Sequence, residues 1–157
     1  MTIRRCAGFG RTNVIELQPD REPSAPEGLH TGAMTARENE PGFSVTTHHD
    51  SDPAVMVVVG ELDSFTACDL RAGVAVVLGR QGTIIDIRQV PFVDSAGLGA
   101  LVGGIRRLRE AGGSVALCCD RSSVLRLLRM TGLDRIVEIT GSPAEARQVI
   151  SGALLPA

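Results

Sequence analysis

The sequence contains no lysine, and all 16 of its basic side chains are arginine. That absence removes Schiff-base chemistry and the phosphate-loop lysine from the options. It reads as genomic base composition rather than as chemistry. Histidine is scarce, occurring only at His30, His48 and His49. A serine nucleophile needs a base within hydrogen-bond reach, and no G-x-S-x-G elbow is present either. G-x-x-x-x-G-K-[ST] and kinase signatures are also missing, so no enzyme is expected. The four cysteines, Cys6, Cys68, Cys118 and Cys119, include no C-x-x-C and do not have the spacing of a zinc site. They read as buried, reduced thiols serving as small hydrophobes. No apolar run approaches the length of a membrane span. The glycines at 8 and 10, with Arg11 and Asn13, interrupt any secretory core in Met1–Leu17. A cytoplasmic home follows as the expectation. A net charge of −2 gives no reason to expect nucleic acid as a partner.

The 157 residues, 43% of them hydrophobic, suffice for one domain with a sizeable core and an appendage. Residues 1–41 show no sustained period and interleave Pro19, Pro23, Pro26 and Pro41 with charged and small residues. They read as a disordered tail dispensable for folding, with a domain over 42–153. Met34 lies inside that tail and is an alternative start of translation. A first strand is expected at Phe43–His48, followed by a polar turn. His48, His49 and Asp50 invite a metal reading, but neighbouring strand residues point to opposite faces, so a solvated turn is expected.

Ala54–Val59 and Thr83–Ile87 are continuously apolar or β-branched, the pattern of strands buried on both faces. Between them, Thr66 and Asp69 resemble a capping box for a helix with Leu70, Val74, Val77 and Leu78 on its apolar face. Leu98, Leu101, Val102, Ile105 and Leu108 form the stripe of a second helix, with Arg106, Arg107, Arg109 and Glu110 turned to solvent. Gly112 and Gly113 end it. Then come a strand at Ser114–Cys118 and a short helix over Val124, Leu127 and Leu128, capped by Asp120 or Ser122. A short edge strand follows at Arg135–Thr140. Ser142, Pro143 and Glu145 open a last helix. The order β-β-α-β-α-β-α-β-α predicts an α/β sandwich: a mixed, mostly parallel sheet of about five strands with about four helices.

The chain is organised around Val90–Gly99, V-P-F-V-D-S-A-G-L-G. Pro91 suits a strand exit, and Asp94 and Ser95 fall where a following helix has unpaired N–H groups. Ser95 should therefore stand exposed at a positive helix end, with a carboxylate beside it. Asp63 and Asp94 both end parallel strands, at the edge where open α/β sheets carry function. Two carboxylates without further ligands read as an acidic recognition surface around Ser95 rather than as a metal site.

Four segments, in order and register, resemble the STAS domain family, the bacterial anti-sigma factor antagonists. They are G-E-L-D at Gly60–Asp63 with Thr66 and Ala67 opening a helix, Val90–Gly99, R-E-A-G-G at Arg109–Gly113, and M-T-G-L at Met130–Leu133. The likeness runs from about Phe43 to Ile150 and implies the STAS fold, whose element order is the same. In that family the serine after the aspartate is phosphorylated by an anti-sigma factor that is itself a serine kinase. The unphosphorylated antagonist binds the kinase, which brings its own ATP, and frees a sigma factor; a phosphatase restores the antagonist. The resemblance thus implies Ser95 as phosphoacceptor, with Asp94, Ala96, Gly97 and Leu98 shaping its loop. Asp63, Ser64, Phe65 and Thr66 correspond to the kinase-contacting turn. No cofactor is implied. Ser64, Phe65 and Ala96 depart from the usual residues, and the long amino-terminal segment is a further departure. The alternative within the family is a non-phosphorylated scaffold in a signalling or transport complex. A redox gate is a further expectation to test, should Cys68 lie within disulfide reach of Cys118 or Cys119.

Overall fold

The computed structural model describes residues 2–4 and 42–154. Six strands form one sheet in sequence order: β1 (Thr2–Arg4), β2 (Ser44–His48), β3 (Ala54–Val59), β4 (Gly82–Gln89), β5 (Ser114–Cys118) and β6 (Glu138–Thr140). The first three run antiparallel and β3 through β6 run parallel. The expected opening hairpin and parallel units are present. An added edge strand, β1, pairs Ile3 with Val45 and comes from residues assigned to the tail. The rest of the disordered-tail expectation, residues 5–41, lies outside the described residues.

Helices α1 (Ala67–Val77), α2 (Ser95–Glu110) and α3 (Ser122–Met130) connect successive parallel strands, and α4 (Pro143–Leu154) follows β6. Because β3, β4, β5 and β6 are laid down in one direction, right-handed crossovers put all three connecting helices on the same face. Their apolar stripes enclose the main core with Val45, Met56, Val58, Ile85, Ile87 and Leu117. Among the described residues, the other face is covered by α4, over Ile84, Ala116 and Cys118.

That asymmetry corrects the reading of β3 as buried on both faces. Ala54, Met56 and Val58 are buried, while Val55, Val57 and Val59 are half-buried. Helix α4 reaches over β4, β5 and β6, and of β3 only Val55 packs against its cluster. The central β4 is buried along Gly82–Ile87, as its composition predicts.

Other local expectations shift by small amounts. Thr66 precedes α1 as its N-cap residue but makes no side-chain cap bond. Arg121, rather than Asp120 or Ser122, occupies the N-cap position of α3. Leu133–Arg135 is a turn of 3-10 helix, which shortens the last strand to Glu138–Thr140. Arg109 does not simply face water: its guanidinium donates to the Ile136 carbonyl. At α4 the Glu145 amide donates to Ser142 Oγ at 3.3 Å, as expected of a capping box, but Glu145 Oε2 accepts from the Gly141 amide at 2.9 Å, one residue before the amide that a capping box engages.

Candidate functional site

Beyond the ends of β3 and β4 the two chains continue side by side. The Gly60 amide donates to the Gln89 carbonyl at 3.1 Å, and Leu62 and Val93 form an isolated parallel bridge. The Leu62 amide donates to the Phe92 carbonyl at 2.9 Å, and the Asp94 amide donates to the Leu62 carbonyl at 3.0 Å. Gly60 permits this extension: its φ is +89°, and a Cβ there would come 3.0 Å from the Phe43 Cα. Two loops thirty residues apart in sequence are thus brought together at the carboxyl edge.

The first loop closes on itself. Asp63 Oδ1 accepts from the amides of Phe65 at 2.8 Å and Thr66 at 3.0 Å. Thr66 Oγ1 accepts from the Asp63 amide at 2.8 Å and lies 2.9 Å from the Glu61 carbonyl. With Thr66 buried, its hydroxyl holds the turn together and is not presented at the surface.

The second loop is tied to the first by Asp94. Its backbone is extended at the N-cap of α2, and Oδ1 accepts from the Gly97 amide at 2.7 Å. Its other oxygen, Oδ2, accepts from the Ser64 amide at 3.3 Å. One carboxylate therefore caps the helix that begins at Ser95 and also grips the neighbouring turn. Gly97 makes the close approach possible, because a Cβ there would fall 2.1 Å from the Leu62 carbonyl oxygen.

Of the residues expected at the site, the structure exposes Ser64, Phe65 and Ser95 and leaves Asp63, Asp94, Ala96 and Leu98 half-buried. Thr66 and Gly97 are buried and contribute by shaping the loops. Phe92, absent from the residues expected at the site, is 51% exposed two positions before Asp94, and Phe65 in the first loop is 72% exposed. Burial of Val90 and Val93 leaves Phe92 between them facing out, an outcome decided by the fold. Ser95 is the first residue of α2, with its side chain in the open at the end where helix N–H groups and the dipole favour anions.

A third carboxylate, Asp86, belongs elsewhere. It alternates with Ile85 and Ile87, and so points to the α4 face, where it is buried and pairs with Arg88 through bonds of 3.0 and 2.8 Å. That pairing raises the Arg88 pKa above its ordinary value.

Cys68 corrects the reading of the cysteines as buried thiols. Cys68 is exposed, with Sγ 3.5 Å from the Phe65 carbonyl, whereas Cys118 and Cys119 are buried in the two separate clusters. All three are free, and burial pushes Cys118 and Cys119 above the ordinary thiol pKa. Among the described residues no group of three or more His, Cys, Asp or Glu side chains is arranged to hold a metal ion, and no helix is long and apolar enough to cross a membrane.

Comparison with known proteins follows the same residues. The STAS domain family model matches residues 44–146. The anti-sigma-B factor antagonist of Listeria monocytogenes is 33% identical over 98 residues, covering 61% of this chain and 86% of that protein. The Bacillus subtilis anti-sigma-B factor antagonist is 35% identical over 85 residues, covering 53% and 77% respectively. The crystal structure of an anti-sigma factor antagonist from Mycobacterium paratuberculosis superposes with a TM-score of 0.64. It is 23% identical and covers 75% of this chain and 99% of that one, a likeness of fold.

Proposed function

Since the chain belongs to the STAS domain family, we propose that it is an anti-sigma factor antagonist switched by phosphorylation of Ser95. Unphosphorylated, it binds an anti-sigma factor that is a serine kinase and so releases a sigma factor in the cytoplasm. The kinase, with its own ATP, phosphorylates Ser95, and a phosphatase reverses the mark. The chain acts as ligand and substrate, not as catalyst. The observation that carries this reading is the placement of Ser95: exposed at the first position of α2, immediately after an aspartate whose two oxygens tie both loops together.

The same placement makes a switch physically sound. A phosphate on Ser95 would sit at a helix N-terminus, so the fold accepts it. It would add about −1.5 to −2 charge at neutral pH, next to Asp94. A partner surface shaped around a neutral hydroxyl and the exposed rings of Phe65 and Phe92 would meet bulk and uncompensated charge. Desolvating that charge costs about 3 kcal/mol, roughly a hundredfold in affinity.

Titration calorimetry of the purified kinase against wild type, Ser95→Ala and Ser95→Asp tests the reading, with phosphopeptide mapping after ATP addition. Ser95→Ala should bind like wild type and take no phosphate, and Ser95→Asp should stay folded and bind roughly a hundredfold more weakly. Phosphate on Ser64 or another hydroxyl would refute the assignment, as would wild-type affinity in Ser95→Asp.

A further inference from the structure

A groove of about 360 Å³ runs between α1 and α2, with Val74, Gly103 and Gly104 on its floor and Arg71, Arg106 and Arg107 along its edges. Glu110 is the single carboxylate on it, 3.8 Å from Arg106 in an exposed pair. Arg71 and Arg107 form no ion pair with another described residue. The groove thus carries an excess of positive charge on a chain whose net charge is −2.

Its floor is also more open than the fold requires. Gly104 is explained by packing, since a Cβ there would meet Val74 Cγ2 at 2.9 Å. For Gly103, and for Gly99 one turn earlier, a Cβ would meet nothing within 4 Å. Glycine inside a helix costs stability relative to alanine, and no contact within the described domain compensates for it at these two positions. An open backbone at such a place suits the close approach of another chain.

Helix α2 carries Ser95 at its first residue and, from Ala100 to Glu110, one wall of the groove. Gly99 and Gly103 follow Ser95 by four and eight residues, about one and two helical turns. We propose that the groove seats a helix of the same anti-sigma factor, one that lays an acidic face against Arg71, Arg106 and Arg107 and brings its backbone close to Gly103. The inference rests on the functional reading above and adds a second contact to it. This contact supplies affinity and partner choice at a distance from the phosphorylated residue. Charge pairing of this kind sets association rate and discriminates between partners.

The test uses the full chain and the purified kinase-type anti-sigma factor. Gly103→Leu fills the groove from a position with free space, and the Arg71→Glu, Arg107→Glu double variant reverses its charge. Circular dichroism and thermal melts establish that both remain folded; should Gly103→Leu melt early, the double variant decides alone. Each is expected to weaken binding by about tenfold or more, the double variant with a flattened salt dependence. Hydrogen exchange of the wild-type complex should show protection within residues 71–74 and 100–107. Wild-type affinity in the folded variants, while Ser95→Asp loses binding, overturns the groove and leaves the switch standing. So does a change in self-association with kinase binding intact, which would assign the groove to a second copy of the chain. No binding of wild type to the kinase overturns both.

Discussion

On one face of the sheet α1, α2 and α3 enclose a core that runs from Phe43 to Val137, whereas on the other Ala146 and Ile150 of α4 join a smaller cluster of Ile84, Ala116 and Cys118, with Val55 packed against it. Both helices that open at the candidate site belong to the first face. Helix α2 anchors there through Leu101, Ile105 and Leu108, and α1 through Leu70, Val74 and Val77. Ser95 is therefore presented by an element whose local opening is expected to be costly, while α4, packed on the smaller cluster, is expected to open more readily. A surface held in place before binding loses less entropy when a partner docks. The lesson is that presentation of a single hydroxyl depends on core residues several turns away.

The sharpest way to break the comparison is Gly97→Ala. The added methyl collides with the Leu62 carbonyl, a backbone atom that cannot turn aside. Urea unfolding should show a loss of about 3 kcal/mol or more, and calorimetry should show loss of kinase binding. Near-wild-type stability would mean that the two loops can separate without cost.

The faces themselves are compared by truncating one leucine and one isoleucine. Leu101→Ala should cost about 3–4 kcal/mol and Ile150→Ala about 2 kcal/mol, the low end of the range for such deletions, because fewer neighbours surround the second. Equal losses would show that α4 is as firmly held as α2.

Asp94→Ala removes the cap and should cost about 1 kcal/mol by denaturant unfolding. Its larger signature is functional, since the Ser64 turn loses its tether. Asp94→Asn keeps an acceptor and should recover most of the stability.

The smallest effect is a pH dependence that draws on one thiol from each face. Burial, the dominant cause, raises the pKa of Cys118 beneath α4 and of Cys119 in the main core. The unfolded chain therefore deprotonates these thiols first as pH rises. Their contribution is whole below the ordinary thiol pKa and is lost as pH climbs through the raised folded values. Thermal midpoints should fall on the alkaline side, and less steeply in a Cys118→Ala, Cys119→Ala variant. An unchanged alkaline slope would show that the thiols are not the cause.

What could be read from the sequence alone is the run of elements from β2 to α4, together with Asp94 and Ser95 at the start of α2. Those features depend on local signals: the apolar runs of β3 and β4, the stripe from Leu98 to Leu108, and cap residues next to a helix. Pattern alone could not tell that one face of β3 is only half-covered, because that depends on where α4 lands after the last crossover. It could not tell that Thr2–Arg4 is an edge strand, since three residues carry no period and their partner lies about forty positions away. Nor could it tell that Thr66 turns inward, that Phe92 stands exposed, or that Asp94 grips the Ser64 amide. Gly97 is the clearest case. In the sequence it looks like a poor helix former, and only the fold brings the Leu62 carbonyl to where its side chain would be. Local chemistry determines which segments become strands and helices, because their periods repeat within a few residues. Contacts between distant segments are decided by packing, and at this site those contacts set the geometry around Ser95.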